Sequence, residues 1–221
     1  QLQAQVKADA ETQYLALQAR IRPHFLFNSL NSIASLIVSK PEQAEEMVLD
    51  LSELFRASLD KRNKLVTVTE EVEFVKTYMR IETVRLGDKL WVNWDIRPEA
   101  ANARIPLLIL QPLVENAVHH GVSRLRGRGG IDVTVLRDGK RLQVVVENPV
   151  PPDDAPKRES TGVALENIAQ RLKLIYGDDA ELTQGLAKTP NGPVYRAQIK
   201  VPYTTVDINA GQAASDNEGD D

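Results

Sequence analysis

The spacing of apolar residues divides the chain into a helical first part and a mixed second part. Up to about Leu86 apolar residues recur every three or four positions, and from Leu90 onward short alternating segments mix with helical ones. The first part predicts two amphipathic helices, the first ending at Pro41, that form an antiparallel hairpin. A hairpin alone buries little apolar surface, so we expect two of them to pair into a four-helix dimer. The apolar positions are Leu26, Leu30, Ile33 and Ile37, then Ala44, Met47, Val48, Leu51, Phe55 and Leu59.

The second part predicts an α+β sandwich with helices over one face of a mixed sheet. A third helix begins at the capping-box pattern Thr67-Val68-Thr69-Glu70 and ends at Gly87. Asp138-Gly139 is typical of a hairpin turn. Further helices are predicted at 106–120 and 162–176, and strands at 90–96, 131–136, 142–146, around 182 and at 194–201. The segment 149–161, with four prolines, predicts a loop.

Charge and composition limit the possible partners. The net charge is −4, but residues 207–221 carry five acids and no base, so the remainder is close to neutral. A nucleic-acid binder would show a basic excess, and we expect no direct contact with nucleic acid. The acidic tail, 206–221, is expected to be disordered. The absence of cysteine excludes disulfides and thiol nucleophiles and fits a reducing compartment.

No apolar run is long enough to cross a membrane, and the chain begins with Gln rather than Met. We therefore expect a fragment whose membrane region lies N-terminal to this chain.

A polar stripe runs along the first helix and contains a histidine. His24, Asn28, Asn31 and Ser35 recur at intervals of four, three and four, about 200° around the helix from the Leu26 stripe. His24 should therefore face outward, either as an ordinary surface residue or as a reactive group. A neutral imidazole has a free lone pair at pH 7 and suits phosphoryl transfer. Arg20, one turn earlier, could offset phosphate charge.

The segment Pro23-His-Phe-Leu-Phe-Asn-Ser-Leu-Asn31 resembles the phosphoacceptor box of LytS-type sensor histidine kinases. With the preceding residues from Leu17, it is most similar to the AlgZ/FimS alginate and pilus regulators. The resemblance implies autophosphorylation of His24, with Asn28 as a further catalytic residue.

Residues 110–121, Leu-Gln-Pro-Leu-Val-Glu-Asn-Ala-Val-His-His-Gly, resemble the N-box of the GHKL (Bergerat) ATP-binding fold shared by histidine kinases, gyrase and Hsp90. The resemblance implies that Asn116 ligates Mg²⁺, that Glu115 is catalytic and that His120 contacts phosphate. Adjacent residues diverge around a helix, so we do not expect His119 and His120 to hold a metal between them.

Two later segments resemble the glycine boxes of the same fold. Val145-Val-Glu-Asn-Pro-Val-Pro151 occupies the place of the first, in which an acid contacts adenine. Either Glu147 or Asn148 would take that role, and prolines replace the glycines. Residues 162–172 resemble the second box, and 149–161 correspond to the ATP lid. The residues that match the second box are Gly162, Leu165, Asn167 and Arg171, and the resemblance implies that Gly162, Asn167 and Arg171 lie near the nucleotide.

The resemblance covers residues 10–203 and implies a dimeric sensor histidine kinase of a two-component system. We expect residues 1–66 to be the helical-hairpin dimerisation and phosphoacceptor domain, and 67–205 a linking helix and GHKL-type α/β sandwich. ATP and Mg²⁺ would phosphorylate His24, which would transfer the group to an aspartate of a response regulator, of LytTR type. The expected location is the cytoplasmic face of a bacterial inner membrane.

Two alternatives remain open. The altered first glycine box could mark a non-catalytic dimeric scaffold that binds the regulator. A free ATPase of the gyrase/Hsp90 class would assign no role to the His24 segment.

Overall fold

The computed structural model describes residues 23–59, 64–152, 163–190 and 192–205. For residues 23–24, 57–59 and 163 it describes the backbone alone. The predicted acidic tail, Gly162 and most of the predicted lid lie outside these ranges. The chain divides into two compact units, one within Gln1–Lys61 and Lys76–Gly87, the other within Arg62–Val75 and Asp88–Asp221. Within the described ranges, no helix has the length and apolar character needed to cross a membrane.

The first unit is helical. It contains α1 (Pro23–Leu36), α2 (Pro41–Leu59) and the second half of α3 (Val68–Leu86). The rings of Phe25 and Tyr78 lie 5.2 Å apart between centroids. Arg80 binds both carboxylate oxygens of Asp50, at 2.9 and 2.5 Å. The apolar side chains buried in this unit are Ile33, Ala44, Met47, Leu51, Leu54, Tyr78, Met79 and Ile81.

The predicted end of the first helix at Pro41 is wrong. Helix α1 ends at Leu36, and Pro41 is the first residue of α2. Proline is favoured at the first position of a helix, because its missing N–H would have no partner within the helix there.

The second unit is an α+β sandwich. A two-stranded sheet joins β1 (Leu65–Thr67) to β3 (Arg104–Pro106). The main sheet has the strand order β2-β4-β5-β7-β6, with β2 parallel to β4 and the other pairs antiparallel. Its strands are β2 (Leu90–Ile96), β4 (Gly129–Asp138), β5 (Arg141–Pro149), β6 (Glu181–Thr189) and β7 (Gly192–Pro202), and its helices are α4 (Gln111–Asn116) and α5 (Val163–Tyr176).

The core of this unit lies between one face of the sheet and the helices. Alternate residues of β4 and β5 are almost fully buried, as are the apolar sides of α4 and α5. These side chains are Ile131, Val133, Val135, Leu142, Val144 and Val146 from the sheet and Leu113, Val114, Ala117, Val118, Leu165, Ile168 and Leu172 from the helical layer. The prediction of a helical hairpin followed by an α+β sandwich is confirmed.

The helix predicted at 106–120 begins later than expected. Residues up to Pro106 belong to β3, which the sequence analysis missed, and α4 begins at Gln111. Leu108, in the intervening turn, has a φ of 62°. After Asn116 the helix widens into a π turn, Ala117–Gly121.

The predicted capping box at the start of α3 is confirmed. The Thr67 amide donates to Glu70 Oε2 at 2.7 Å, and the Glu70 amide donates to Thr67 Oγ1 at 3.1 Å. The hydrogen bonds from Thr67 lower the pKa of Glu70 below its ordinary value of 4.5, with smaller contributions from Arg104 and Lys64. Glu70 therefore stabilises the fold in its ionised form.

Replacing Thr67 by Ala should lower the free energy of unfolding at pH 7 by about 1 kcal/mol, because one helix-end amide loses its acceptor. The loss should be smaller at pH 3. A lowered pKa gives stability that is present above the unfolded-state value and disappears as the pH falls through the folded-state value. Urea unfolding at both pH values measures this, with Thr67→Ser as the control that keeps the hydroxyl. An equal loss at both pH values would contradict the role of Glu70.

Candidate functional site

Helix α4 and its π turn hold three of the predicted site residues at the edge of the core. Apolar neighbours on the other side of the helix are almost completely buried, which fixes its rotation. Glu115, Asn116 and His120 are half-buried. The π turn, Ala117–Gly121, follows Asn116 directly. Single π turns inside helices occur often at functional sites because they redirect the residues around them.

Glu115 and His119 have defined local partners. Glu115 Oε1 accepts a hydrogen bond from Gln111 Nε2 at 2.8 Å, one helical turn earlier. His119 is buried, and its carbonyl accepts a hydrogen bond from Ser123 Oγ at 2.8 Å. In the described part of the chain, no group of three or more His, Cys, Asp or Glu side chains could hold a metal ion.

Asn148 lies on the helix-covered face of the sheet. It has the same parity as the buried Val144 and Val146 of β5, and it is 6% exposed. Its Nδ2 donates to the carbonyl of Pro149 at 2.9 Å. Gly121 approaches this side chain so closely that a Cβ built there would lie 2.7 Å from Asn148 Cγ. The end of the π turn and the end of β5 therefore meet at Gly121 and Asn148.

Glu147 faces the opposite side of the sheet. It is the register partner of Arg196 on β7, whose Nε and Nη2 both donate to Glu147 Oε1 at 2.8 Å. On its other side it pairs with Asp132 of β4, an exposed residue. The two residues that the sequence leaves as candidates for the adenine contact are thus on opposite faces of the sheet, and Asn148 is the one beside the π turn.

Helix α5 carries two of the predicted nucleotide-binding residues, Asn167 and Arg171, and they differ in exposure. Leu165, Ile168 and Leu172 are buried, while Asn167 is exposed. Arg171 is half-buried, and its Nη1 donates to the carbonyl of Leu107 at 2.6 Å. Gly162 lies outside the described residues.

The phosphoacceptor segment belongs to the first unit, and the other predicted site residues belong to the second. The backbone of His24 lies in the first turn of α1, and its side chain is outside the described set. Along the predicted polar stripe, Asn28 is half-buried, and Asn31 and Ser35 are exposed.

Two residues that matter for this site were missed by the sequence analysis. Gly121 is the last residue of the N-box segment and no role was predicted for it, although its close approach to Asn148 requires a residue without a side chain. Glu71 was not selected, although it is completely buried and bonded to the turn before α4. Its position on the apolar stripe of Val68, Val72 and Val75 is a signal that the sequence did contain.

The described chain thus combines a helical hairpin that begins with Pro23 and His24 and a sandwich in which the turn after an asparagine-bearing helix meets the end of a strand. A family model described as histidine kinase matches residues 12–90. The sensor histidine kinase BtsS of Escherichia coli (strain K12) is 36% identical over 167 residues, which are 74% of this chain and 29% of that protein. The sensor protein LytS of Bacillus subtilis (strain 168) is 33% identical over 194 residues, or 82% of this chain and 32% of that protein.

The chain belongs to the histidine kinase family, and within it to the LytS type. It spans about a third of the length of the curated relatives that it matches. Among solved structures it is similar to the mycobacterial sensor histidine kinase MprB, with 15% identity, a TM-score of 0.48 and coverage of 65% of this chain and 100% of that one.

Substituting Gly121 by Ala should weaken ATP binding about tenfold or more, because the new methyl group displaces the Asn148 side chain. Isothermal titration with ATP and Mg²⁺ measures the change. Gly127→Ala is the matched control, since a Cβ at Gly127 meets no atom within 4 Å. Equal affinities of the two variants would show that the contact between Gly121 and Asn148 is unimportant for the nucleotide.

Proposed function

We propose that this chain is the catalytic part of a dimeric sensor histidine kinase of a two-component system. In this proposal His24 is phosphorylated from ATP and passes the phosphoryl group to an aspartate of a response regulator of LytTR type. The observation that carries the proposal is the contact of Gly121 with Asn148, which joins the end of the N-box helix to the strand end expected to bind adenine. The relative BtsS, which is a sensor histidine kinase by name, supports it.

We assign the adenine contact to Asn148. Its Nδ2 is held by the carbonyl of Pro149, which leaves Oδ1 as an acceptor for the exocyclic amino group of adenine. Glu147 is bonded to Arg196 on the other face of the sheet, so this role does not suit it. The chemistry of the contact requires an acceptor but not a charge.

The phosphates are assigned to the α4 side of the site and to the start of α5. The side-chain oxygen of Asn116 is a ligand of the type that Mg²⁺ prefers. The phosphates of ATP would supply further oxygen ligands, so a cluster of carboxylates, which the described residues do not contain, would not be required. Mg²⁺ would neutralise negative charge on the phosphates. His120 is proposed to contact a phosphate, as are Gly162 and Asn167. Prolines 149 and 151 have no amide donors, so we expect the phosphate end to contribute most of the affinity.

The phosphoryl step requires a neutral histidine side chain. A ring nitrogen of His24 attacks the γ-phosphorus, the new N–P bond forms as the bond to the β–γ bridging oxygen breaks, and ADP leaves. Asn28, one helical turn after His24, and Glu115 are the proposed polar partners of this step. Catalysis of this type depends on positioning and on charge stabilisation rather than on covalent assistance.

The proposed domains separate the phosphoacceptor residue from the residues that bind the nucleotide. We propose residues 1–66 as the dimerisation and phosphoacceptor domain, 67–205 as the ATP-binding domain with its linking helix, and 206–221 as a tail. The location at the cytoplasmic face of the inner membrane would depend on a segment outside this chain. Contact with DNA would be made by the response regulator.

Incubation with γ-labelled ATP should label the wild-type protein, and His24→Gln should abolish the label. The label should be lost in acid and retained in base, because a phosphorus–nitrogen bond is acid-labile. Asn31→Gln, a change to an exposed residue of the same helix, is the control. Acid-stable label would contradict the assignment, and ATP binding without any label would favour the non-catalytic scaffold.

An uncovered apolar face on α1 supports the dimer. Phe27 is 66% exposed and Leu30 47% exposed, whereas Ile33, the next position of the apolar stripe, is buried. Ile37 and Val38, in the turn just after α1, are also exposed. Such large apolar side chains grouped on one helix face are typical of an interface between chains, and a second copy of the hairpin is the partner that the four-helix arrangement requires.

Leu30→Asp should convert the dimer to monomer, because a charge buried without a partner costs several kcal/mol. Light scattering at tens of micromolar measures the change. Asn31→Asp adds the same charge at the neighbouring exposed position and should leave the dimer intact. Wild-type protein that is folded but monomeric would refute the interface.

A further inference from the structure

Glu71 is a completely buried carboxylate near the start of α3, and it binds the backbone just before α4. Its Oε2 accepts a hydrogen bond from the Leu108 amide at 2.8 Å, and its Oε1 accepts one from the Leu110 amide at 2.9 Å. The amide of Ile109 also favours the ionised carboxylate. One buried side chain thus binds two amides of the same turn.

Arg171 holds the same turn from α5. Its Nη1 donates to the carbonyl of Leu107 at 2.6 Å, and its charge acts on Glu71. Burial raises the pKa of Glu71, and the backbone amides and the guanidinium oppose that rise. The Leu107 amide in turn donates to the carbonyl of Lys64 at 3.0 Å. The turn 107–110 is therefore fixed by partners from three separate segments of the chain.

The turn needs this support because its backbone is strained. Leu108 has a φ of 62°, in the left-handed region that a leucine rarely adopts. Such a conformation persists only where the surroundings impose it, and it is enriched at functional sites. In this conformation the amides of Leu108 and Leu110 need acceptors, and the carboxylate of Glu71 supplies them.

The position of the turn sets the start of α4. The carbonyl of Leu110 accepts hydrogen bonds from the amides of Leu113 and Val114, at 3.1 and 3.2 Å. Leu110, whose amide binds Glu71, is thus the first residue of the hydrogen-bonded turn from which α4 extends to Asn116. A displacement of residues 108–110 would change the direction of α4.

We infer that Glu71 and Arg171 are positioning residues for the nucleotide site: together they fix 107–110 and so hold Asn116 in place for ATP binding. The inference rests on the proposed function. It gives Arg171 a role through the protein backbone in place of direct contact with the nucleotide.

The central test is Glu71→Gln in the whole 221-residue chain. The variant keeps the size of the side chain but leaves only one acceptor, so the amide of Leu108 or Leu110 loses its partner. In nucleotide-free protein, hydrogen exchange of these two amides should accelerate at least about tenfold, and the Kd for ATP with Mg²⁺ should rise about fivefold or more.

Glu82→Gln is the matched control, since Glu82 is an equally buried glutamate of the same helix whose bonded partner is Arg85. It should leave exchange at 108 and 110 and the Kd for ATP unchanged. A rescue variant separates positioning from general destabilisation. Leu108→Gly removes the backbone strain, because glycine adopts positive φ without cost, and in the Glu71→Gln background it should restore most of the ATP affinity.

Arg171→Ala decides between positioning and direct contact. Positioning predicts faster exchange of the Leu108 and Leu110 amides in protein without nucleotide, whereas a direct ligand of ATP would lower affinity with exchange unchanged. Unaltered exchange in both Glu71→Gln and Arg171→Ala would overturn the inference. If the wild type does not bind ATP, the proposed function fails, and the exchange rates alone still decide whether these residues fix the turn.

Discussion

The packing of α4 and α5 on a single face of the five-stranded sheet determines which side chains can meet in this domain. The inward residues of the central strands are apolar, and each helix covers them with its own apolar stripe. Burial of such surface contributes about 25 cal/mol per Å² and is the main favourable term in folding. Because the stripe fixes the rotation of a helix, it also fixes the direction of the polar residues beside the stripe. The positions of Asn116 and Asn167 are thus consequences of core packing.

The elements that were predicted correctly depend on neighbours in sequence. The capping pair of Thr67 and Glu70, the turn at Gly139 and the end of α5 at Tyr176 are each determined within a few residues. The missed strands and the misplaced start of α4 concern elements with distant partners. Strands β1 and β3 have three residues each, too few to show a period, and they exist because they pair with each other. The start of α4 was misplaced because the preceding turn is held by the distant residue Glu71.

The residues of the candidate site could likewise be predicted only where local sequence determines them. The N-box could be recognised because its residues follow one another along one short helix. The choice between Glu147 and Asn148 could not be made, because Val144, Val145 and Val146 are all apolar and their run hides the alternation of β5. Pairing with β7 places Glu147 opposite Arg196, on the face of the sheet away from Asn148. Glu71 is the opposite case, because its position on the apolar stripe of Val68 and Val72 could be seen in the sequence. It was not predicted as a buried residue because its neighbour Glu70 was assigned to the capping box.

The unusual residues at the end of β5 are physically compatible with one another. The side chain at position 148 is almost completely buried, and a buried ionised carboxylate is costly unless donors surround it. Prolines 149 and 151 have no amide hydrogen, so they cannot supply such donors. An asparagine needs less, because it is neutral and brings its own donor, which the carbonyl of Pro149 accepts. Exchanging the acid for an amide therefore removes the need for the amide donors that the prolines lack, while Oδ1 remains as the acceptor that an adenine amino group requires.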